Sequence, residues 1–355
     1  MSHVERVASA SRVRASLSDM DVRVVTGGDG EPSPELALRT AARAWNSIAP
    51  GATHHLVLQD DVLPCANFAA MLTTAVRARP SACFSLFAEW ASLSGQSARL
   101  AAIAGCPWAP VVDEFMPAPA VLLPAEVARG FADHLEAALG GPERRDAFLL
   151  ASYLEQRGET PYVLVPNLVE HDVPVVPSLL PNGKVRGPRR SACYAGQLPA
   201  PETTLVGTPD ELAYPALLPY HSRDDLVSFM LSRAGGRGRW ERDPVFRWAR
   251  GRGWDLRTLH ALADEVRPRR TPAIGADLRR EFWLSGFAAG FVLRAHLPDD
   301  DDLSQRLRTD MPRLALRTMA TGPLRRLLAE PVLLSEGANI LPIVEHGLLQ
   351  GYANA

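Results

Sequence analysis

The chain has 355 residues, a hydrophobic content of 46% and a formal net charge of −2. This composition supports a sizeable buried core and excludes a disordered or fibrous protein, and the lack of a basic excess argues against general nucleic-acid binding. No apolar run approaches the roughly 20 residues that cross a bilayer, and the first residues are polar and charged, so we expect a soluble cytoplasmic protein. The cysteines form no CxxC pair, which leaves a zinc or redox motif unsupported.

Strand-like and helix-like segments alternate in the first third of the chain. Residue patterns predict strands at 21–26, 56–58 and 82–90. Helices that begin after Ser33 and after Asn67 separate these strands. Because a β-α-β-α-β order is typical of α/β proteins, we predict a mostly parallel sheet flanked by helices.

The alternation continues before a change of composition. Strands are predicted at 119–123 and 162–165, and helices after Pro124 and from Asp146 lie between them. Many prolines occur at 174–219, and helical patterns dominate from about Ser222. We therefore predict an α/β domain at 1–205 and a mainly α-helical region at 206–355. For the second region an acceptor platform, a homo-oligomer interface and a partner dock are all open roles.

Two adjacent carboxylates, Asp60 and Asp61, follow the buried strand at 56–58. In open α/β sheets the carboxyl ends of strands are the edge at which ligands bind. Hard cations such as Mg²⁺ and Mn²⁺ bind through one or two carboxylates together with substrate phosphates. A pair of solvated turn residues is the alternative interpretation, since turns favour aspartate.

The order of elements and several motifs together resemble the nucleotide-sugar-dependent glycosyltransferases of the GT-A fold. The resemblance covers roughly residues 10 to 195. Its motifs are Gln59-Asp60-Asp61-Val62, Cys65 with Asn67-Phe68, the helix led by Asp146, and Pro166-Asn167-Leu168-Val169-Glu170-His171. The acidic motif is Asp-Asp rather than the commoner Asp-x-Asp, and no Gln-x-x-Arg-Trp signature occurs, which disfavours processive synthesis.

The resemblance implies a nucleotide-sugar donor and a bound Mn²⁺ or Mg²⁺. Asp61 is the expected direct ligand, Asp60 lies toward the ribose or the metal, and His171 is the expected third ligand. Imidazole accepts Mn²⁺, although an isolated histidine after an apolar strand is more often a packed residue. The resemblance also places Arg12 and Asp29 near the nucleotide. The alternative is that both are charged residues of the surface without a binding role.

Transfer of a sugar to a hydroxyl also needs a proton acceptor near the anomeric carbon. Asp146 is the candidate base, and the alternative is that it only caps its helix. Glu89 and Trp90 could line the sugar or acceptor pocket, although core packing explains Trp90 equally well. A lone base fits an inverting reaction.

The sequence thus predicts a metal-dependent glycosyltransferase with a small-molecule, glycan or protein acceptor. A nucleotidyl or phosphoryl transferase would also use adjacent aspartates and a divalent metal, but no phosphate-cradling glycine loop occurs. A non-catalytic interaction protein built on a degenerate GT-A-like domain is the third possibility.

Overall fold

A computed structural model describes residues 1–2, 6–28, 33–171, 187–199, 212–213, 215–233, 239–267, 270 and 273–355. Up to residue 171 its elements, in chain order, are α1 (Val7–Ser16), α2 (Pro34–Asn46), β1 (His54–Leu58), β2 (Val62–Pro64), α3 (Phe68–Ala78), β3 (Cys83–Ser85), α4 (Leu93–Ala104), β4 (Trp108–Pro110), β5 (Ala120–Pro124), α5 (Ala125–Ala138), α6 (Asp146–Gln156), β6 (Pro161–Leu164) and β7 (Val169–His171).

The main sheet is mixed, which corrects the prediction of a mostly parallel one. Its five strands lie in the order β1-β5-β3-β6-β4, and only the β3–β6 pair is parallel. Strand β5 lies between β1 and β3 and runs antiparallel to both. Apolar runs reveal that a strand is buried but do not encode its direction, so the predicted α/β class holds while the parallel arrangement fails.

The segment 21–26 is extended but forms no strand of the sheet, so this predicted strand is wrong. Its hydrogen bonds go to Ser2: the Ser2 N–H donates to the Val25 carbonyl (2.9 Å), and the Gly27 N–H donates to the Ser2 carbonyl (2.9 Å). The segment therefore lies beside the short N-terminal segment instead of joining β1. The predicted strand at 82–90 is shortened to β3, so Glu89 and Trp90 lie in the loop that follows it.

A separate two-stranded ribbon forms where β2 pairs with β7. The pairing is antiparallel and sets Val62 opposite His171. The backbone N–H of Cys65 extends the ribbon by donating to the Leu168 carbonyl (2.9 Å). This register brings His171, the last residue of the Pro166–His171 motif, next to the turn between β1 and β2.

The C-terminal region is helical, as predicted, but it also contains a sheet that was not predicted. The elements are β8 (Leu217–His221), β9 (Ser228–Ser232), β10 (Glu241–Pro244), α7 (Val245–Arg250), α8 (Leu256–Glu265), α9 (Ala276–Leu293), α10 (Leu303–Arg306), α11 (Asp310–Thr321) and α12 (Glu330–Ala353). The three strands form an antiparallel sheet in the order β10-β9-β8. Among the described residues, none of the helices combines the length and apolar character that crossing a bilayer requires.

One cluster of buried apolar side chains includes residues from both sides of the predicted boundary. It contains Leu38 and Phe131 from the first region and Trp283 and Leu348 from the second. Helix α4 contacts α11, and Arg99 of α4 donates a hydrogen bond to Thr318 of α11 (3.0 Å). The regions thus share a core, and their division into 1–205 and 206–355 stays a prediction.

Helices α9 and α12 pack closely through glycines. Gly286 and Gly290 lie on α9, while Gly347 and Gly351 lie on α12, each pair one turn apart. A Cβ atom at any of these four positions would overlap a backbone carbonyl of the opposite helix. Glycine at these positions therefore sets the distance between the two helix backbones.

We predict that His221 makes the fold sensitive to acid. Its ring is buried in β8 and stacks on Phe282 with centroids 4.3 Å apart, and burial lowers the pKa of His221 to about 3. Between that pKa and the ordinary value near 6.5, the unfolded chain binds a proton that the folded chain does not. Stability should therefore fall as the pH falls below about 6.5, by at most about 1.4 kcal/mol per pH unit.

Chemical denaturation at pH 7 and pH 5 measures this effect in the wild type and in His221→Gln. The variant carries no titrating ring, so we expect a smaller loss of stability between the two pH values. His260→Gln is the control, because His260 lies on α8 and shows only partial burial. An unchanged acid slope in His221→Gln would rule out this origin of the sensitivity.

Candidate functional site

The acidic pair lies in the turn between β1 and β2, and it is buried. The exposed fractions are 6% for Asp60, 9% for Asp61 and 4% for His171. Strand β1 delivers the two aspartates to the sheet edge, and the ribbon pairing of Val62 with His171 delivers the imidazole. The alternative of a solvated turn is therefore wrong. Burying two carboxylates side by side is costly without compensating positive charge.

Asp61 and His171 contact each other, so their predicted proximity is confirmed. The distance from Asp61 Oδ2 to His171 Nε2 is 3.3 Å. Within the described part of the chain, the other two polar atoms, Asp61 Oδ1 and His171 Nδ1, are buried without a hydrogen-bond partner. Buried polar atoms normally have partners, so each of these two atoms can still bind a ligand or a water.

Two arginines that the sequence analysis did not identify supply positive charge. Arg6 lies between the aspartates, with Nη1 3.3 Å from Asp60 Oδ1 and Nη2 3.2 Å from Asp61 Oδ2. Arg189 Nη2 lies 2.7 Å from His171 Nε2. Ser2 completes the group by donating its hydroxyl proton to Asp60 Oδ2 (2.6 Å). The site therefore combines two carboxylates, an imidazole and two guanidinium groups.

The two aspartates respond to this environment in opposite directions. Burial raises the pKa of Asp60, and the Ser2 hydrogen bond and the Arg6 charge only partly oppose it. Burial also acts to raise the pKa of Asp61, but contact with His171 and the charges of Arg6 and Arg189 outweigh it, and the Asp61 pKa lies far below its usual range. Asp61 is thus the carboxylate of the pair that stays ionised.

The donor atoms around His171 Nε2 are compatible with a divalent cation. His171 Nε2 has one in-plane lone pair, so it either accepts from Arg189 or binds a cation, and a cation at Nε2 would displace the Arg189 contact. Two ligands at about 2.0–2.3 Å and a near-right angle on one ion lie about 3 Å apart. The Asp61–His171 spacing fits that value.

Asp60 does not join these two residues in a three-ligand cluster. Over the described ranges, no group of three or more His, Cys, Asp or Glu side chains is arranged to hold a metal ion. The carboxylate of Asp60 is instead directed to Ser2 and Arg6. The residues present therefore fit an ion with two protein ligands, Asp61 and His171, whose remaining positions substrate phosphates or water would fill.

Of the two residues expected near the nucleotide, the structure describes Arg12. Arg12 is exposed on α1 and donates to Ser9 Oγ (3.0 Å), and Asp29 lies outside the described residues. A cavity of about 280 Å³ does adjoin Asp60, between β1 and the extended segment 21–25. Its lining includes the apolar side chains of Val22 and Leu56.

Glu89 forms ion pairs with two arginines, and its role in a sugar or acceptor pocket stays a prediction. Arg223 Nη1 lies 2.7 Å from its Oε2, and Arg325 Nε lies 3.0 Å from its Oε1. Both arginines belong to the C-terminal region, so their ion pairs with Glu89 link that region to the loop after β3. Trp90 is buried and donates its indole N–H to the Pro188 carbonyl (3.0 Å), which agrees with the packing alternative.

Asp146 begins α6 but does not cap it in the usual way. Arg145 occupies the N-cap position, and Asp146 Oδ1 accepts the N–H of Ala147, the next residue (2.9 Å). Burial raises the pKa of Asp146. The segment 116–119 connects this helix start to the acidic turn, since Met116 N–H donates to the Ala147 carbonyl and Gln59 N–H donates to the Pro119 carbonyl.

We predict that Asp146→Asn slows the chemical step by about a hundredfold or more, the usual cost of losing a general base. Single-turnover rates on a folded sample measure this effect, and donor affinity should change little. Asp133→Asn, on the exposed face of α5, is the matched control. Near-normal turnover together with a stability loss of about 1 kcal/mol would instead assign Asp146 a purely structural role.

No family model matches this chain, and neither a curated protein nor a solved structure is detectably similar to it.

Proposed function

We propose that this protein is a glycosyltransferase that transfers a sugar from a nucleotide diphosphate donor to an acceptor hydroxyl. The observation that carries the proposal is the convergence of Asp61 Oδ2 and His171 Nε2, 3.3 Å apart, beside two buried atoms without partners. The α/β class of the fold, with the acidic turn directly after strand β1, also supports the proposal. Mn²⁺ or Mg²⁺ is the expected cofactor, held by Asp61 and His171.

The charges of the site suit a diphosphate leaving group. In the reaction the acceptor oxygen bonds to the anomeric carbon while the bond from that carbon to the phosphate oxygen breaks. A divalent cation held by Asp61 and His171 would supply charge neutralisation for the departing phosphates. Arg6 lies beside the Asp61 carboxylate and Arg189 lies beside His171, and both add positive charge for those phosphates. Asp146 is the proposed acceptor of the hydroxyl proton, consistent with inversion.

Release of nucleotide diphosphate tests the proposal. The protein is incubated with Mn²⁺ and each member of a panel of nucleotide sugars, and product release is followed with and without EDTA. We expect one or a few donors to be hydrolysed slowly and EDTA to stop the reaction. Absence of metal-dependent release for every donor would count against the assignment.

The non-catalytic interaction protein remains the second candidate, and one observation favours it. Arg6 bridges both aspartates and Arg189 contacts His171, so the buried charges are already compensated by protein groups. In that case Mn²⁺ should neither bind nor change the melting temperature. A rise in melting temperature with Mn²⁺ and a nucleotide diphosphate would favour the enzyme instead.

A further inference from the structure

Arg189 is a cation whose charge no carboxylate of the described residues matches. Its Nη2 lies 2.7 Å from His171 Nε2, and no described aspartate or glutamate forms an ion pair with it. The next residue differs, because Arg190 pairs with Glu330 (2.7 Å). Arg189 is partly buried, and a guanidinium group that is partly removed from water favours an anion. A negatively charged ligand can therefore still match the charge of Arg189.

Arg6 also has a donor that no described group uses. Its guanidinium lies beside both aspartates, but its Nε is buried without a hydrogen-bond partner in the described part of the chain. One guanidinium group thus contacts each member of the Asp61–His171 pair. Phosphate oxygens match guanidinium donors in both geometry and charge. The two arginines together therefore favour an anion with several acceptor oxygens, such as a diphosphate.

A metal ion and Arg189 compete for one atom. His171 Nε2 has a single in-plane lone pair, and the Arg189 guanidinium is the group in contact with it. A divalent cation at this position would also come close to Arg6, which lies 3.2 Å from Asp61 Oδ2. Repulsion between like charges opposes its binding. Metal affinity should therefore stay low until the two arginines have another partner.

We propose that Arg189 makes metal binding at this site depend on a diphosphate. When no anion is bound, Arg189 occupies His171 Nε2 and competes with the metal. A diphosphate gives Arg189 and Arg6 acceptor oxygens, Arg189 leaves the imidazole, and Nε2 becomes available to the ion. This role rests on the proposed glycosyltransferase function, in which the diphosphate belongs to the sugar donor. Arg189 is then a positioning residue that acts through His171.

The exchange requires only the side chain of Arg189 to move. Trp90 holds the backbone on both sides of Arg189: its indole N–H donates to the Pro188 carbonyl (3.0 Å), and its backbone N–H donates to the Arg190 carbonyl (2.8 Å). An arginine side chain has several rotatable bonds and changes its partner by a change of rotamer. The position from which Arg189 reaches His171 is therefore fixed, while the guanidinium group can exchange partners.

The affinity of the protein for Mn²⁺ alone, measured from the electron paramagnetic resonance of the unbound ion, tests this competition. Arg189→Met keeps a long side chain but removes the charge and the donor, so Mn²⁺ should bind at least about tenfold more tightly than to the wild type. Arg190→Met is the matched control, because Arg190 contacts the backbone carbonyl of His171 (3.4 Å) and not its ring. This control should change the affinity much less. Arg189→Gln repeats the test with a polar side chain, and thermal melting checks the fold of each variant.

Nitrogen coupling to the bound ion provides a second readout that a general electrostatic effect would not move. In the wild type, Mn²⁺ alone should show no ¹⁴N coupling from an imidazole, and addition of inorganic pyrophosphate should make the coupling appear. In Arg189→Met the coupling should appear with Mn²⁺ alone. Loss of a distant positive charge would raise the affinity without changing which ligands the ion has.

Two results would overturn the proposal: imidazole coupling in the wild type with Mn²⁺ alone, or an Arg189→Met protein that binds Mn²⁺ no more tightly than the wild type. Both results leave a metal site at Asp61 and His171 intact, so the proposed function would stand. Absence of Mn²⁺ binding in every variant, with and without pyrophosphate, would contradict the metal site as well. Failure of the coupling and failure of the proposed function are therefore distinguishable.

Discussion

An Asp61→Asn protein is expected to lose metal-dependent donor turnover by about a hundredfold or more while keeping its fold. The amide has the shape of the carboxylate but no charge, so it is a poor ligand for a divalent cation and leaves the departing phosphates less neutralised. Asp60 still compensates Arg6, which limits the effect on stability. Initial rates of nucleotide diphosphate release at saturating Mn²⁺ measure the loss, and thermal melting checks the fold.

Two further substitutions test whether the effect is specific to Asp61. Asp60→Asn should reduce turnover less, because that carboxylate is directed to Ser2 and Arg6 instead of to His171. Asp299→Asn is the control, since Asp299 is 97% exposed and pairs only at the surface. Wild-type activity in a well-folded Asp61→Asn protein would rule out Asp61 as a metal ligand.

Replacement of Gly290 by alanine is expected to destabilise the fold by about 2 kcal/mol or more. Alanine favours a helix interior by up to about 1 kcal/mol over glycine, so propensity alone predicts a gain. The added Cβ, however, would overlap the carbonyl oxygen of Leu348, a backbone atom that cannot rotate away. Overpacking of this kind costs about 1–3 kcal/mol and occasionally more, so helices α9 and α12 must separate.

Urea denaturation of Gly290→Ala beside Gly275→Ala measures the difference. Gly275 precedes α9, and a Cβ atom there would contact nothing within 4 Å. We expect the control to retain its stability. A Gly290→Ala protein as stable as the wild type would show that the helices do not depend on this close approach.

Local features allowed the core of the candidate site to be predicted from the sequence. The apolar run before Asp60-Asp61 and the motif ending at His171 each sit at the end of a strand, and strand ends meet at a sheet edge. The predicted proximity of Asp61 and His171 is confirmed, although the parallel strands on which that prediction was based are not present. The antiparallel β2–β7 ribbon, which no pattern indicated, is what sets Val62 opposite His171.

The arginines of the site could not be predicted in the same way. All but one of the 38 basic residues are arginine, so Arg6 and Arg189 had no feature that distinguished them from the others. Glu89 likewise matched a sugar-binding carboxylate by position, and only the folded C-terminal region revealed its partners. Ion pairs between segments that are far apart in the sequence produce no periodic pattern from which they could be predicted.

The missed C-terminal sheet has a physical explanation in its composition. Strand β8 contains Pro219, and proline suggested a loop because it cannot donate to a strand ladder. Proline is tolerated in edge strands, and β8 is at an edge of the β10-β9-β8 sheet. Its position in the sheet, which the sequence does not show, decides whether this proline breaks the strand.

The most direct test of the central claim is a measurement of nitrogen coupling to bound Mn²⁺. Electron spin-echo spectra of the protein with Mn²⁺ and inorganic pyrophosphate should show ¹⁴N coupling from one imidazole, and His171→Gln should abolish it while His54→Gln leaves it unchanged. Such a result would establish that His171 shares the ion with the acidic turn. Bound Mn²⁺ without nitrogen coupling, coupling that survives in His171→Gln, or no Mn²⁺ binding at all would contradict the proposed metal site.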